Sequence, residues 1–322
     1  MYDFVKRIKE KKIQKIENGI FLVAEKHLLK AKNGDDYLGL KLKDKTGTIE
    51  AKIWNNRLYL KDKFNESDFV KVTGESNLFK DNWQIIIKDI GKIDDKNISK
   101  EDFLPSTSRD INAMKEEMFG IINGIKNQSL KKLLLNIFKD EDFLNKFCKA
   151  PAAKTMHHAY VGGLLEHTLS VAKLSKQISQ FYGGMDEDML VSCALLHDIG
   201  KVEELDSTTF GYTTSGKMIG HVIISYTIVQ NKIEEIKSLS EDKAMRLLHC
   251  ILSHHGEYEY GSPKRPKTKE AVLLNLVDML DSRMQPVMSA GKDASGDAQW
   301  SEVVGIIGRN LYIEDKKNVL FE

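Results

Sequence analysis

At 322 residues, 41% hydrophobic and 30% charged, the chain is long enough for two ordinary domains and has the composition of a soluble protein. No apolar run approaches the ~18–20 residues that a membrane span needs, and the basic start MYDFVKRIKEKKIQK never enters an apolar stretch of secretory type. Cys148, Cys193 and Cys250 stand alone with no CxxC pair, which excludes a disulfide scaffold and a thiolate zinc site and fits a reducing, cytoplasmic setting. Net charge is +1, yet residues 1–100 hold 22 Lys and Arg against 16 Asp and Glu, while the remainder holds 26 against 31. A basic front (+6) therefore precedes an acidic back (−5). Either the front attracts a polyanion and the back gathers carboxylates around metal, or the two halves are simply solvated surfaces of different sign.

A basic lead-in over 4–15 reads as a short helix. Short β-type stretches follow at Gly19–Ala24 and Tyr37–Lys43. Asp44–Gly47 is a turn, and Thr48–Trp54 alternates with period two, which gives a hairpin. Phe69–Gly74 and Trp83–Lys88 form a second pair around a loop at Asn77–Asn82. About five strands in ~90 residues suit a small closed barrel, and an OB-fold is the natural candidate. Such barrels bind single strands with aromatic platforms and a basic groove. Trp54, Phe79 and Trp83, with Tyr37, are candidates for stacking, and Lys41, Lys43, Lys52, Lys71, Lys80 and Lys88 for charge; the aromatics are equally suited to barrel core.

The polar, proline-containing stretch 96–110 reads as a linker between a first domain (1–95) and a second (111–322). From about 111 the apolar period becomes 3.6, with helical stretches near 110–124, 128–138, 140–148, 159–182, 186–198, 217–236, 241–254 and 268–284. A last short helix is expected near 299–311. The fold class is thus multi-domain α+β, a β-barrel followed by an all-α domain.

Histidine is concentrated in that second domain: eight of nine fall between 157 and 255. Five elements recur in order, His167, His197-Asp198, His221, His254-His255 and Asp278. Imidazole and carboxylate without sulfur suit Mn²⁺, Fe²⁺, Co²⁺, Ni²⁺ or Zn²⁺. An adjacent His-Asp pair at a helix end lets the Asp bridge two ions while the His binds one. His254 and His255 face ~100° apart on a regular helix, so joint ligation requires the helix to loosen there, which Gly256 permits. Asp281, one turn after Asp278, is an alternative ligand. Asp278 is preferred because Leu274 and Ala271 share its inward face.

The segments HHAYVGGLLEHTLSV (157–171), LLHDIGKVEEL (195–205), GHV (220–222) and SHHGEYEYGSPKRPKTKEA (253–271), behind an OB-like barrel, resemble those of the YhaM-type exoribonucleases of the HD-domain phosphohydrolases. The resemblance implies an HD catalytic domain, dependence on Mn²⁺ or Co²⁺, and stepwise removal of nucleotides from single-stranded 3′ ends. It implies one ion held by His167, His197, Asp198 and Asp278, and a second held by Asp198, His221, His254 and His255. Catalytic roles fall to Asp198 and to Lys201, placed near the phosphate. His157 and His158 are candidates for contacting substrate or protonating the leaving group, and are equally suited to a structural role. The GYP motif of related cyclic-dinucleotide phosphodiesterases is absent, since Glu257–Pro263 stands there. The position that can carry a further carboxylate is Gly163, which counts against a third ion. The partner expected is single-stranded RNA, with single-stranded DNA as the alternative, no membrane, and self-association through the acidic half. Two other functions fit the same residues: a phosphohydrolase of small nucleotides, and a nucleic-acid-binding regulator with an inert HD site.

Overall fold

The structure, a computed structural model, describes residues 5–31, 34–79, 82–94, 98, 102–154, 158–207, 210–290, 299–301 and 303–312. The chain divides into two compact units, Met1–Ser106 and Thr107–Glu322.

In the first unit, helix α1 (Val5–Lys11) precedes five strands, β1 (Lys15–Lys30), β2 (Asp36–Asp44), β3 (Gly47–Ile53), β4 (Phe69–Phe79) and β5 (Asn82–Lys92). They close a barrel in the order β1-β2-β3-β5-β4, antiparallel throughout except for the β3–β5 seam. Closure needs one long strand that serves two neighbours. β1 pairs with β4 over its first half and β2 over its second, and bulges at Ile16/Gly19 and Val23/Glu25 bend it between them. Period-two alternation turns Leu38, Leu40 and Leu42 of β2 and Ile49, Ala51 and Ile53 of β3 inward, onto Phe21, Val70, Val72, Ile85 and Ile87. Two sequence expectations change. β1 begins inside the stretch read as the lead-in helix, and the expected Asn77–Asn82 loop is largely ladder, with Asn77, Leu78 and Phe79 paired to Gln84, Trp83 and Asn82.

The second unit is helical: α2 (Ile111–Gly124), α3 (Gln128–Phe138), α4 (Glu141–Lys149), α5 (Gly163–Tyr182), α6 (Glu187–Leu196), α7 (Lys201–Glu204), α8 (Thr214–Met218), α9 (His221–Ile236), α10 (Glu241–Ser253) and α11 (Lys269–Ser289). Asp110, Asn127, Asp140, Asp186, Ser240 and Thr268 cap the N-termini of α2, α3, α4, α6, α10 and α11, each accepting a first-turn amide hydrogen bond. α5 and α6 are buried on most sides and form the centre of a core shared with α3, α10 and α11. The helix read as 217–236 is two helices, because Gly220 at φ +81° breaks it just before His221. The helix expected near 299–311 is instead a small hairpin, bridged Trp300 to Tyr312 and Val304 to Arg309. β-branched Val303, Val304, Ile306 and Ile307 with Gly305 and Gly308 favour that outcome. Among the described residues no helix is long and apolar enough to cross a membrane.

Candidate metal centre

The elements of the helical unit deliver their histidines to one place because each stands at or near a helix end. His167 comes from the second turn of α5, His197 and Asp198 follow the last turn of α6, His221 opens α9, His254 and His255 follow α10, and Asp278 lies midway along α11. Asp198 sits at the centre. Its Oδ2 lies 3.5 Å from His167 Nε2 and 3.3 Å from His197 Nε2. Its Oδ1 lies 3.5 Å from both His221 Nε2 and His254 Nε2. Asp278 Oδ1 joins the first group at 3.2 Å from His167 Nε2, and His255 Nε2 joins the second at 3.2 Å from His221 Nε2. One carboxylate therefore faces two clusters of nitrogen donors, one through each oxygen.

The other nitrogen of every ring is already engaged. Nδ1 of His197, His254 and His255 donates to the carbonyls of Ala194 (2.8 Å), Ile251 (2.7 Å) and Tyr260 (2.9 Å). Nδ1 of His167 donates to Asp281 at 2.7 Å and that of His221 to Glu204 at 2.9 Å. With Nδ1 as the donor, the neutral rings present Nε2 lone pairs inward, the arrangement that orients metal-binding imidazoles. Lone pairs 3.2–3.3 Å apart repel unless a cation or a proton lies between them. Asp198 Oδ1 and His254 Nε2 are buried without a hydrogen-bond partner, a costly state for an anion and an acceptor in apolar surroundings. A divalent cation would remove both problems, and nitrogen and carboxylate donors at these separations fit one bound at ~2.0–2.2 Å from each. The donor set fits the metal.

Electrostatics agree with this. Burial pushes the Asp198 carboxyl up, but Lys201 and His197 outweigh it and hold the group well below the usual range. Asp278 is held low in the same way, chiefly by His167 and His197 against burial. Burial pulls His254 down and, with the neighbouring His254, takes His255 down to about 4. His167 moves the other way. Burial opposes its charge, but Asp198, Asp278 and Asp281 raise it well above the ordinary value.

Lys201 Nζ lies 2.6 Å from Asp198 Oδ2 and lines a cleft of about 640 Å³ together with His221, His255, Asp278, Lys154 and Arg283. Burial would lower the Lys201 ammonium, but Asp198 and Asp278 raise it, so it stays charged. The sequence leaves His158 open between a substrate contact and a structural role. The residue is 4% exposed, with Nε2 3.0 Å from Asp281 and Nδ1 2.7 Å from the Tyr160 hydroxyl, so both ring nitrogens are spent inside the protein. His157 lies outside the described residues.

On the barrel, three of the candidate aromatics share one surface. Tyr37 and Trp54 are 5.4 Å apart, and Lys52 Nζ stands 5.8, 5.9 and 5.1 Å from the rings of Tyr37, Trp54 and Phe79. Trp54 is 41% and Phe79 52% exposed. Trp83 departs from the expectation: it is half-buried against the barrel core, where its large ring removes more apolar area from water than it would on the surface. Of the lysines proposed for charge, Lys41 pairs with Glu25 at 3.4 Å, Lys88 pairs with Glu75, and Lys80 lies outside the described residues.

A family model for the HD domain matches residues 164–283, and one for the OB-fold nucleic acid binding domain matches 22–93. A third, described as a helicase, matches 111–183 and stops before the His-Asp pair. The 3′-5′ exoribonuclease YhaM of Bacillus velezensis is 35% identical over 258 residues, covering 79% of this chain and 81% of that protein. The Bacillus subtilis YhaM is 32% identical over 284 residues, 88% of this chain and 90% of that one. The chain belongs to the YhaM family of 3′-5′ exoribonucleases. Among solved structures, the second OB-fold domain of replication protein A from Methanococcus maripaludis is 24% identical, covering 24% of this chain and 84% of that one, at TM-score 0.20.

In this YhaM-family chain, sequence reasoning overlooked Glu204 and Asn275 behind the candidate ligands and singled out Asp281 only as an alternative ligand. Glu204 receives both the backbone N–H and Nδ1 of His221, and Asp281 holds the far side of His167. Asn275 donates to the His254 carbonyl at 2.7 Å. The available signal was weak: Glu204 is an acid at i+6 from Asp198 on a short helix, which reads as a solvated face.

Proposed function

We propose that this chain is a metal-dependent 3′→5′ exoribonuclease whose helical unit holds two divalent ions, Mn²⁺ in the first instance. His167, His197, Asp198 and Asp278 would hold one ion, and Asp198, His221, His254 and His255 the other. The observation that carries this reading is the bridging carboxylate of Asp198, with separate nitrogen clusters at its two oxygens. Bound there, such a pair supplies Lewis acidity toward a phosphodiester and lowers the pKa of water enough for hydrolysis near neutral pH. Lys201, kept charged by Asp198, stabilises negative charge on the phosphoryl oxygens in the cleft. Asp281 and Glu204 keep the ligand rings aimed. Breaking the bond from phosphorus to the 3′ oxygen of the upstream nucleotide leaves a new 3′-hydroxyl, so each turn regenerates the same kind of end.

The barrel would feed the site. Tyr37, Trp54 and Phe79 give bases a sequence-tolerant stacking surface, and Lys52 gives the backbone a cation. Three buried, unpaired cysteines support a reducing, cytoplasmic setting.

The test is a time course with Mn²⁺ on 5′-labelled single-stranded RNA, alongside a 3′-phosphorylated copy, a DNA copy and a chelator control. A descending ladder stopped by chelator and by the 3′ phosphate is expected. Asp198→Ala should abolish the ladder and retain RNA binding. A folded Asp198→Ala protein that still trims RNA would remove the two-ion account.

A further inference from the structure

Behind the candidate ligands lies a set of buried and half-buried polar groups that neither ion binding nor phosphate binding uses. Asp281 Oδ2 accepts hydrogen bonds from His167 Nδ1 at 2.7 Å and His158 Nε2 at 3.0 Å, and its Oδ1 accepts one from the Ser170 hydroxyl. His158 Nδ1 lies 2.7 Å from the Tyr160 hydroxyl, which lies 3.0 Å from Glu166 Oε2, the one hydroxyl proton serving one contact at a time. The same Glu166 oxygen accepts from Thr107 Oγ1 at 2.6 Å. Thr107 is itself fixed, since its backbone N–H donates to the Val161 carbonyl at 2.9 Å. A continuous chain therefore runs from the first residue of the helical unit to the back of a ligand ring, through Glu166, Tyr160, His158 and Asp281.

His158, His167 and Asp281 lie close enough together to be a metal site in their own right. Their bonding says otherwise. Both Asp281 oxygens and both His158 nitrogens already have partners, whereas Asp198 Oδ1 and His254 Nε2, on the ligand side, have none. Satisfied groups fix geometry, and orphaned ones ask for a cation. Behind the second cluster, Glu204 accepts from His221, and the Ile251 and Tyr260 carbonyls accept from His254 and His255.

We infer that Asp281, His158, Tyr160 and Glu166 are positioning residues that set the ring of His167, and so the affinity of the ion on that side only. This rests on the two-ion reading above. Hydrogen bonds to the far nitrogen of a ligand imidazole change metal affinity by ~10–100-fold when removed. Losing a more distant, neutral member costs about 3–10-fold if the chain transmits its order.

The experiment is calorimetric titration of the full chain with Mn²⁺, with circular dichroism and ion-free melting as folding controls. Asp281→Asn is expected to weaken one of two binding events by ~10–100-fold, and Tyr160→Phe to weaken the same event by about 3–10-fold. In the Asp281→Asn background, Tyr160→Phe should add nothing, because the chain is already cut. Glu204→Gln marks the other event, and its effect should multiply independently with that of Tyr160→Phe. A normal Mn²⁺ affinity in Tyr160→Phe, equal weakening of both events, or full additivity with Asp281→Asn would overturn the positioning chain while leaving the two-ion reading intact. Wild-type protein that binds no Mn²⁺ would overturn both.

Discussion

At the scale of single residues, the site depends on how closely backbone segments approach one another. Gly200 follows the His-Asp pair in the turn between α6 and α7, and its N–H donates to Ser225 Oγ at 2.8 Å. A Cβ there would lie 2.4 Å from the His221 carbonyl oxygen and 2.6 Å from the Ser225 nitrogen. Both are backbone atoms at the start of α9, so relief must move α9 and His221 with it. Gly200→Ala is therefore expected to cost about 1–3 kcal/mol of stability and to weaken Mn²⁺ at the His221 side. Thermal melting and calorimetry read the two effects, and a variant normal in both would show that α9 yields freely. Gly256, at φ +82° beside Asn275, lets the chain leave α10 so that adjacent His254 and His255 converge. The convergence of the candidate ligands was legible because imidazole and carboxylate recur at helix ends in that order. Glu204 and Tyr160 were not, and Asp281 was legible only as an alternative ligand. A carboxylate that orients a ring 114 residues away leaves no local pattern, and His158, one of an adjacent pair, reads in sequence as readily as an open-cleft histidine as a structural one.

Helices gain their alignment from a few charged contacts at their ends. Glu270, in the first turn of α11, accepts the Asp186 N–H at the start of α6 at 3.0 Å and faces Arg246 of α10 at 3.3 Å. Burial pushes its carboxyl up, but the Asp186 N–H and Arg246 outweigh this and lower it. A folded-state value below the unfolded one means stability that is present above the ordinary carboxylate range and lost as pH falls through the lowered value. Glu270→Gln is expected to lose about 1–3 kcal/mol at pH 7 and to show a shallower fall in melting temperature on acidification. An unchanged acid limb would remove Glu270 from that account. On the barrel, Trp54→Ala should weaken binding of a short single strand, measured by fluorescence anisotropy with chelator present, by about 1–3 kcal/mol; unchanged affinity would place the strand elsewhere. The barrel itself was visible as alternation, yet its edges were misread. The polar run at 75–82 has loop composition, but its described residues, 75–79 in β4 and 82 in β5, extend the ladder, with Leu78 and Phe79 exposed. Composition cannot separate a solvated ladder from a solvated loop.

Over the whole molecule, stability divides as the cores divide. Val5, Phe21, Leu40, Val72 and Ile87 belong to one apolar cluster and Met118, Leu134, Leu165, Leu195 and Leu274 to another. Units with their own cores unfold as separate cooperative steps when little joins them. An ion bound only to the folded helical unit stabilises that unit alone. At a concentration a hundred times its dissociation constant the gain is about 2.7 kcal/mol for each ion. For a unit running from Thr107 to Glu322 that corresponds to a rise of roughly 5–10 °C per ion. Calorimetry of the full chain is therefore expected to show two transitions, of which Mn²⁺ raises one and leaves the other in place. A short RNA that binds the barrel should do the reverse, and Asp198→Ala should cancel the Mn²⁺ shift but not the RNA shift. If Mn²⁺ instead moved a single transition for the whole chain, the two units would be folding as one, and the barrel would share in holding the metal site rather than only supplying it with substrate.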